Sequence, residues 1–331
     1  MSMRGTPRKH FSLDMDDRET RSSVSVRKRR EVRVKSLFFL ITLIPVGLLI
    51  VISIALAIRA WPILQQYSLN DLLLGEVWKP QKGFFGFLPF IAGTFWVTIF
   101  GVLLAAPPCF FAAVYLSEYA RRTTRAIAKP LLDLLAAIPS VVYGVWGMVA
   151  IVPLISTHIS PFCKRYLGFL PFFTSDNPTG YSILAGAIVL AVMITPFIIS
   201  ITYEVLSVVP QGTREASLAL GATRWHTAWH VVLPQVSGGI GAGIVLGASR
   251  ALGETMAVLM VVGNVAQMPK SIFDAAYPLS ALIANNYGEM MSIPLYDSAL
   301  LGAALFLIGI ILVFNILSVI ILKGVLGKSW V

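Results

Sequence analysis

The chain has 331 residues, 56% of them hydrophobic and 13% charged. Soluble domains carry about 25% charged residues, and a water-exposed fold so poor in charge would present apolar surface it could not solvate. That excludes an ordinary soluble domain and makes the bilayer the expected solvent. The net charge of +10 resembles a nucleic-acid footprint until it is located. Residues 1–35 hold eleven basic side chains, from Arg4 to Lys35, against Asp14, Asp16, Asp17, Glu19 and Glu31. With no hydrophobic periodicity, this stretch reads as a disordered basic tail, held at the cytoplasmic surface by positive-inside bias and anionic lipid. The two cysteines, Cys109 and Cys163, suggest neither a disulfide framework nor a metal site.

A helix crosses about 30 Å of hydrocarbon with roughly 17–25 apolar residues. Six segments meet that length: about 36–58, 89–116, 131–157, 181–203, 236–266 and 298–322. The expected fold is an all-α membrane protein with six transmembrane helices over residues 36–331. The first segment carries no charge, lacks a small-residue cleavage site and reads as a retained anchor. Arg121, Arg122, Arg125 and Lys129 mark the second connection as cytoplasmic, while 59–88, 158–180 and 267–297 are poor in Lys and Arg. Both termini are then expected in the cytoplasm.

Pro107, Pro108, Pro139, Pro153 and Pro196 interrupt three of the spans, each removing a backbone donor. Kinked packing helices are the expectation. Asp133, near the start of the third span, reads as a helix N-terminal charge. Gly239, Gly243 and Gly247 recur every fourth residue in the fifth span, a small-residue face for close helix approach.

Between the fourth and fifth spans stands Glu215-Ala216-Ser217-Leu218-Ala219-Leu220-Gly221, followed nine residues later by Val231-Val232-Leu233-Pro234. This resembles the EAA motif of ABC importer permeases, with Ser217 in place of an alanine and Val231 in place of isoleucine. Residues 215–220 favour a short helix, Gly221 suits its left-handed end, and Pro234 suits the start of the next span. Glu215, Ala216, Ser217, Gly221, Leu233 and Pro234 are the residues expected to dock an ATPase. The chain has no GxxxxGK[ST] run to cradle ATP phosphates. ATP and Mg are therefore expected on a separate ATPase subunit, with no cofactor or metal bound by this chain and no catalytic residue in it. His226 and His230 lack the intervening pattern of a metalloprotease and read as interfacial residues beside Trp225 and Trp229.

Arg250 and Glu254 lie within the fifth span. A charge at such depth costs about 2.5–3.5 kcal/mol on insertion scales and marks a wet cavity, a partner or a pathway. At i, i+4 the two share a helix face, though with Arg first, the weaker order. The expectation is a substrate pathway in which Arg250 meets an anion in transit, since paired guanidinium donors suit paired oxygens, and Glu254 restrains Arg250. A purely structural ion pair is the competing reading.

Three stretches carry a closer likeness: Phe84-Phe85-Gly86-Phe87-Leu88-Pro89-Phe90-Ile91-Ala92-Gly93-Thr94, Ala136-Ala137-Ile138-Pro139-Ser140-Val141-Val142-Tyr143-Gly144, and Arg250-Ala251-Leu252-Gly253-Glu254-Thr255-Met256-Ala257-Val258. Over nearly the whole membrane portion the chain resembles the PstC-type permeases of phosphate-specific ABC importers; the basic tail lies outside the resemblance. It implies a type I importer permease fold with a cytoplasmic coupling helix, in a bacterial inner membrane. It also implies a PstA-like second permease, a PstB-like ATPase dimer, a PstS-like phosphate-binding protein outside, and a role in transport for Arg250 and Glu254. A permease for another oxyanion or small solute, or a channel or secondary transporter needing no ATPase, are the rival readings.

Overall fold

The computed structural model describes residues 14–289 and 293–326. The helices used below are α1 (Asp14–Gln66), α2 (Leu88–Tyr119), α3 (Arg122–Ala136), α4 (Ser140–Leu167) and α5 (Ile183–Ser207). They continue with α6 (Gln211–Ala219), α7 (Arg224–Leu252), α8 (Met256–Leu259), α9 (Leu279–Asn286) and α10 (Tyr296–Leu326). Among the described residues six helices are long and apolar enough to cross a membrane: Val34–Gln66 of α1, then α2, α4, α5, α7 and Tyr296–Ile320 of α10. The chain divides into two units, Met1–Ala55 and Leu56–Val331. The described part of the first is the leading stretch of α1, helical from Asp14 onward where the composition had suggested disorder. Residues 1–13 of the tail lie outside the described residues.

The second unit is organised around α5, the most deeply packed span. Helix α2 runs parallel to it: Gly101 faces Leu190 and Gly186 faces Val97, and Cys109 Sγ lies 3.5 Å from Thr195 Oγ1. Helix α7 runs antiparallel on another side, because Gly239, Gly243 and Gly247 successively meet Val205, Ile201 and Ile198. The small-residue stripe is thus a packing face for α5. Its missing Cβ atoms are what let the two backbones approach.

The first turn of α5 is buried, and its free N–H groups need acceptors. The Ser182 hydroxyl accepts from Ala185 N at 3.2 Å. The carbonyls of Val261, Asp274 and Ile272 accept from the amides of Ser182, Ile183 and Leu184 at 3.2, 3.0 and 2.9 Å. The irregular segment after α7 therefore caps α5. At this same end, Trp78 contacts Phe85, Phe87, Phe90 and Tyr296. An antiparallel hairpin of two-residue strands, Trp78–Lys79 and Phe84–Phe85, carries part of that aromatic cluster. Thr94 joins it to α9 by accepting from Leu279 N at 2.9 Å.

Two spans differ from their expected limits. The third was expected over residues 131–157, whereas α3 stops at Ala136 and α4 begins at Ser140 after an extended Pro139. Proline disfavours helix in the residue before it, so Ile138-Pro139 divides a continuous apolar run into an amphipathic surface helix and a later span. Asp133 consequently sits near the end of α3, not at a helix start. The fifth was expected over 236–266, but α7 begins at Arg224 and ends at Leu252. Within it, a π-turn over Thr227–Val232 precedes the regular α-helix Leu233–Leu252, and Pro234 stands in the first turn of that helix as expected. The widened turn accommodates a proline that cannot donate to the preceding turn.

Candidate functional site

Helix α6 is the exposed crossing from α5 to α7. Ser217 is its one buried residue, and Ser217 Oγ lies 2.9 Å from Thr227 Oγ1 on α7. Gly221 follows with φ +86, the left-handed end expected of that glycine. The turn it makes shapes a concavity of about 760 Å³ lined by Ala216, Ser217, Leu220, Gly221, His226 and Val231, among others. Leu220, 90% exposed, stands at its lip. Glu215 is exposed and forms no ion pair among the described residues. Leu233 packs into the main core and anchors α7. Pro234 is exposed, at the start of the regular helix Leu233–Leu252. The rings of His226 and His230 stack at 4.2 Å.

The second group lies at the other end of α7. Arg250 Cζ sits 5.3 Å from the centre of the Phe197 ring. Phe197 is ten residues before the end of α5, or about 15 Å at 1.5 Å per residue. Used as a ruler, α5 thus puts Arg250 near the middle of the membrane. Arg250 is exposed within the isolated chain, and among the described residues it forms no ion pair.

Arg250 and Glu254 do not share a helix face. Helix α7 ends at Leu252, capped by Gly253, and Glu254 lies beyond the break. Its Oε1 accepts from Ala257 N at 3.2 Å, at the start of α8, and its carbonyl accepts from Ser280 Oγ at 2.9 Å. Each charge stands where the helix dipole favours its sign, the cation at a C-terminus and the anion at an N-terminus. Restraint of Arg250 by Glu254 through direct pairing is therefore corrected: Gly253 interrupts the i, i+4 geometry. Broken backbone at this depth is tolerated where it is buried in protein or lines a cavity. Ala257, Val258, Val261 and Val262 after the break are core residues. A Cβ on Gly144 would lie 3.1 Å from Ala257 Cα, so two of the stretches singled out in the sequence pack on one another.

A third feature has no local signal in the sequence. Arg214, in α6, grips Glu118 at the end of α2 through both arms of its fork. Nε donates to Oε2 at 3.0 Å and Nη2 to Oε1 at 2.8 Å. Nη2 also donates to Leu206 O at 2.9 Å and Nη1 to Val209 O, both at the end of α5. The two side chains are 13% and 8% exposed. They are 96 residues apart in the chain, which is why no local spacing announces them.

The family described as "Binding-protein-dependent transport system inner membrane component" matches residues 109–327. The chain belongs to this family. That description places the chain among importer permeases, in keeping with its six helices long and apolar enough to cross a membrane. The chain is similar to the phosphate transport system permease protein PstC of Pasteurella multocida, 36% identical over 79% of this chain and 82% of that one. It is likewise 39% identical to the protein of that name from Xylella fastidiosa strain 9a5c, over 70% of this chain and 72% of the relative. A probable PstC of Methanocaldococcus jannaschii is 34% identical over 80% and 85% of the two chains. The importer permease reading therefore rests on a match that runs from Cys109, within α2, past the end of α10 and not on the loop alone.

Proposed function

We propose that this chain is the channel-forming permease subunit of an ATP-driven phosphate importer. The observation that carries this is its likeness, along 79% of its length, to a relative named phosphate transport system permease. The geometry supports the cargo. A guanidinium lying against a ring face keeps its in-plane N–H donors directed outward from that face, and such a fork suits the paired oxygens of a tetrahedral oxyanion. Arg250 meets the anion at mid-depth. Glu254 shapes the break that exposes Arg250 and does not bind that cation.

The subunit is non-catalytic. ATP and Mg belong to an ABC ATPase dimer that receives α6 in a groove, with Glu215, Ala216 and Leu220 on the contact face. A second, PstA-like permease completes the pathway, and a PstS-like binding protein delivers phosphate from outside. In this arrangement α6 and both termini are cytoplasmic, in a bacterial inner membrane. ATPase closure moves α6, and that movement passes to the spans joined to it, switching the pathway between two states.

The experiment is uptake of radiolabelled phosphate by a strain lacking its own phosphate and sulfate systems, producing this chain with its partner subunits, in competition with sulfate. Inhibition by unlabelled phosphate but not sulfate supports the reading. Saturable uptake of sulfate with no phosphate uptake would replace the cargo and leave the importer class standing.

A further inference from the structure

We propose that Arg214 and Glu118 are a positioning pair: a strut that converts movement of the ATPase-docking helix into movement of the inner ends of α2 and α5. The inference rests on the importer reading above and adds to it a route of coupling. Helix α6 has one buried residue, Ser217, so apolar packing does little to set its position. Polar ties do so instead, and they run in two directions. Ser217 Oγ and Thr227 Oγ1 tie α6 to the start of α7. Arg214 ties it to Glu118 of α2 and to the Leu206 and Val209 carbonyls closing α5.

The Arg214 arm is the stiffer of the two. A bidentate carboxylate–guanidinium pair fixes both distance and orientation, and the added carbonyl contacts place a cation at a helix C-terminus, where the dipole favours it. The carboxylate is itself braced, since Ser117 Oγ donates to Glu118 Oε1 at 2.8 Å. Arg125 Nη2 then donates to Ser117 O at 2.8 Å and to Ala120 O at 3.3 Å, extending the network into α3. A buried ion pair adds little net stability over a well-packed apolar substitute. Its distinctive property is geometric: it holds three helix ends in one register, so a push on α6 reaches α2 and α5 together. Helix α7, on the other arm, leads through the glycine face to the break beside Arg250.

The test uses the full complex in lipid vesicles, measuring phosphate transported per ATP hydrolysed for the wild type, Glu118→Gln and Arg214→Lys. Glu118→Gln keeps shape but removes the charge; Arg214→Lys keeps the charge but removes the fork. The strut predicts that both variants assemble and hydrolyse ATP near the wild-type basal rate. It also predicts that transport per ATP falls at least about fivefold, the lower range of coupling between linked sites. Hydrolysis and transport falling in parallel with the amount of assembled complex would mean a merely structural pair and overturn the proposal. So would an unchanged transport-to-ATP ratio. If Glu118→Gln fails to assemble, Arg214→Lys decides by the same ratio. If the wild type moves sulfate and not phosphate, the cargo reading falls alone, and the ratio measured with sulfate still decides the strut.

Discussion

Replacing Gly239 by alanine tests whether α5 and α7 meet as closely as their glycine face indicates. A Cβ at this position would lie 2.4 Å from Val205 Cγ1 and 3.0 Å from Cγ2. Carbon atoms attract best at about 3.5–4.0 Å, so the nearer contact must open by about 1 Å. Valine is branched at Cβ and stiff at χ1 in a helix, and it cannot swing clear cheaply. The helices must part or the side chain must leave its rotamer, either of which costs about 1–3 kcal/mol. Glycine to alanine also stabilises a helix by about 0.5–1 kcal/mol, which would mask part of that loss. Gly309 in α10 supplies the control, because a Cβ there meets nothing within 4 Å. Both variants gain the helix term, and Gly239→Ala alone meets Val205. The assay is thermal unfolding of the detergent-solubilised complex, comparing midpoints. Gly239→Ala should melt below the wild type and below Gly309→Ala, with the difference between variants worth about 1–3 kcal/mol. Equal midpoints for the two variants would refute the close approach.

Three further outcomes follow from named contacts. Leu220→Asp, at a 90% exposed position, should leave the midpoint of the isolated chain unchanged while reducing the ATPase recovered by affinity purification; undiminished recovery would remove Leu220 from the docking face. Thr94→Val strands the buried Leu279 N–H, now bonded at 2.9 Å, and should cost about 1–3 kcal/mol in the same unfolding measurement; a change near zero would show that this bond does not hold α9 to α2. Arg250→Ala should abolish radiolabelled phosphate uptake in an assembled complex while ATP hydrolysis persists, and Arg250→Lys, lacking the planar fork, should restore a fraction of it; normal uptake by Arg250→Ala would sink the anion pathway.

Much of the architecture is legible in the sequence because the bilayer imposes a simple length rule. The six apolar stretches correspond to the six membrane-length helices, and the glycines spaced by four become the face against Val205, Ile201 and Ile198. Gly221 was readable for a local reason, since a helix end needs a left-handed residue and its φ is +86. The errors arise where apolarity continues through a change of backbone. Ile138-Pro139 sits in an apolar run and Gly253 in a stretch that is apolar on average despite Arg250 and Glu254, and hydropathy alone carries the third and fifth spans across them. A proline and a glycine marked both places, and the helix-breaking chemistry outranks the apolar average. Arg214 and Glu118 were illegible for a different reason. Each is an ordinary charge near a span end, and the fold alone brings them together. The same holds for Phe197, whose ring meets Arg250 through the antiparallel packing of α5 and α7.

The most direct test of the central claim is phosphate movement across a sealed membrane by the purified complex. Vesicles containing this chain with its partner permease and ATPase, with ATP on the ATPase side and binding protein on the other, should accumulate radiolabelled phosphate. Accumulation should stop when a non-hydrolysable analogue replaces ATP, even with an ion gradient maintained. Phosphate accumulation driven by the gradient with no ATP present would contradict the account.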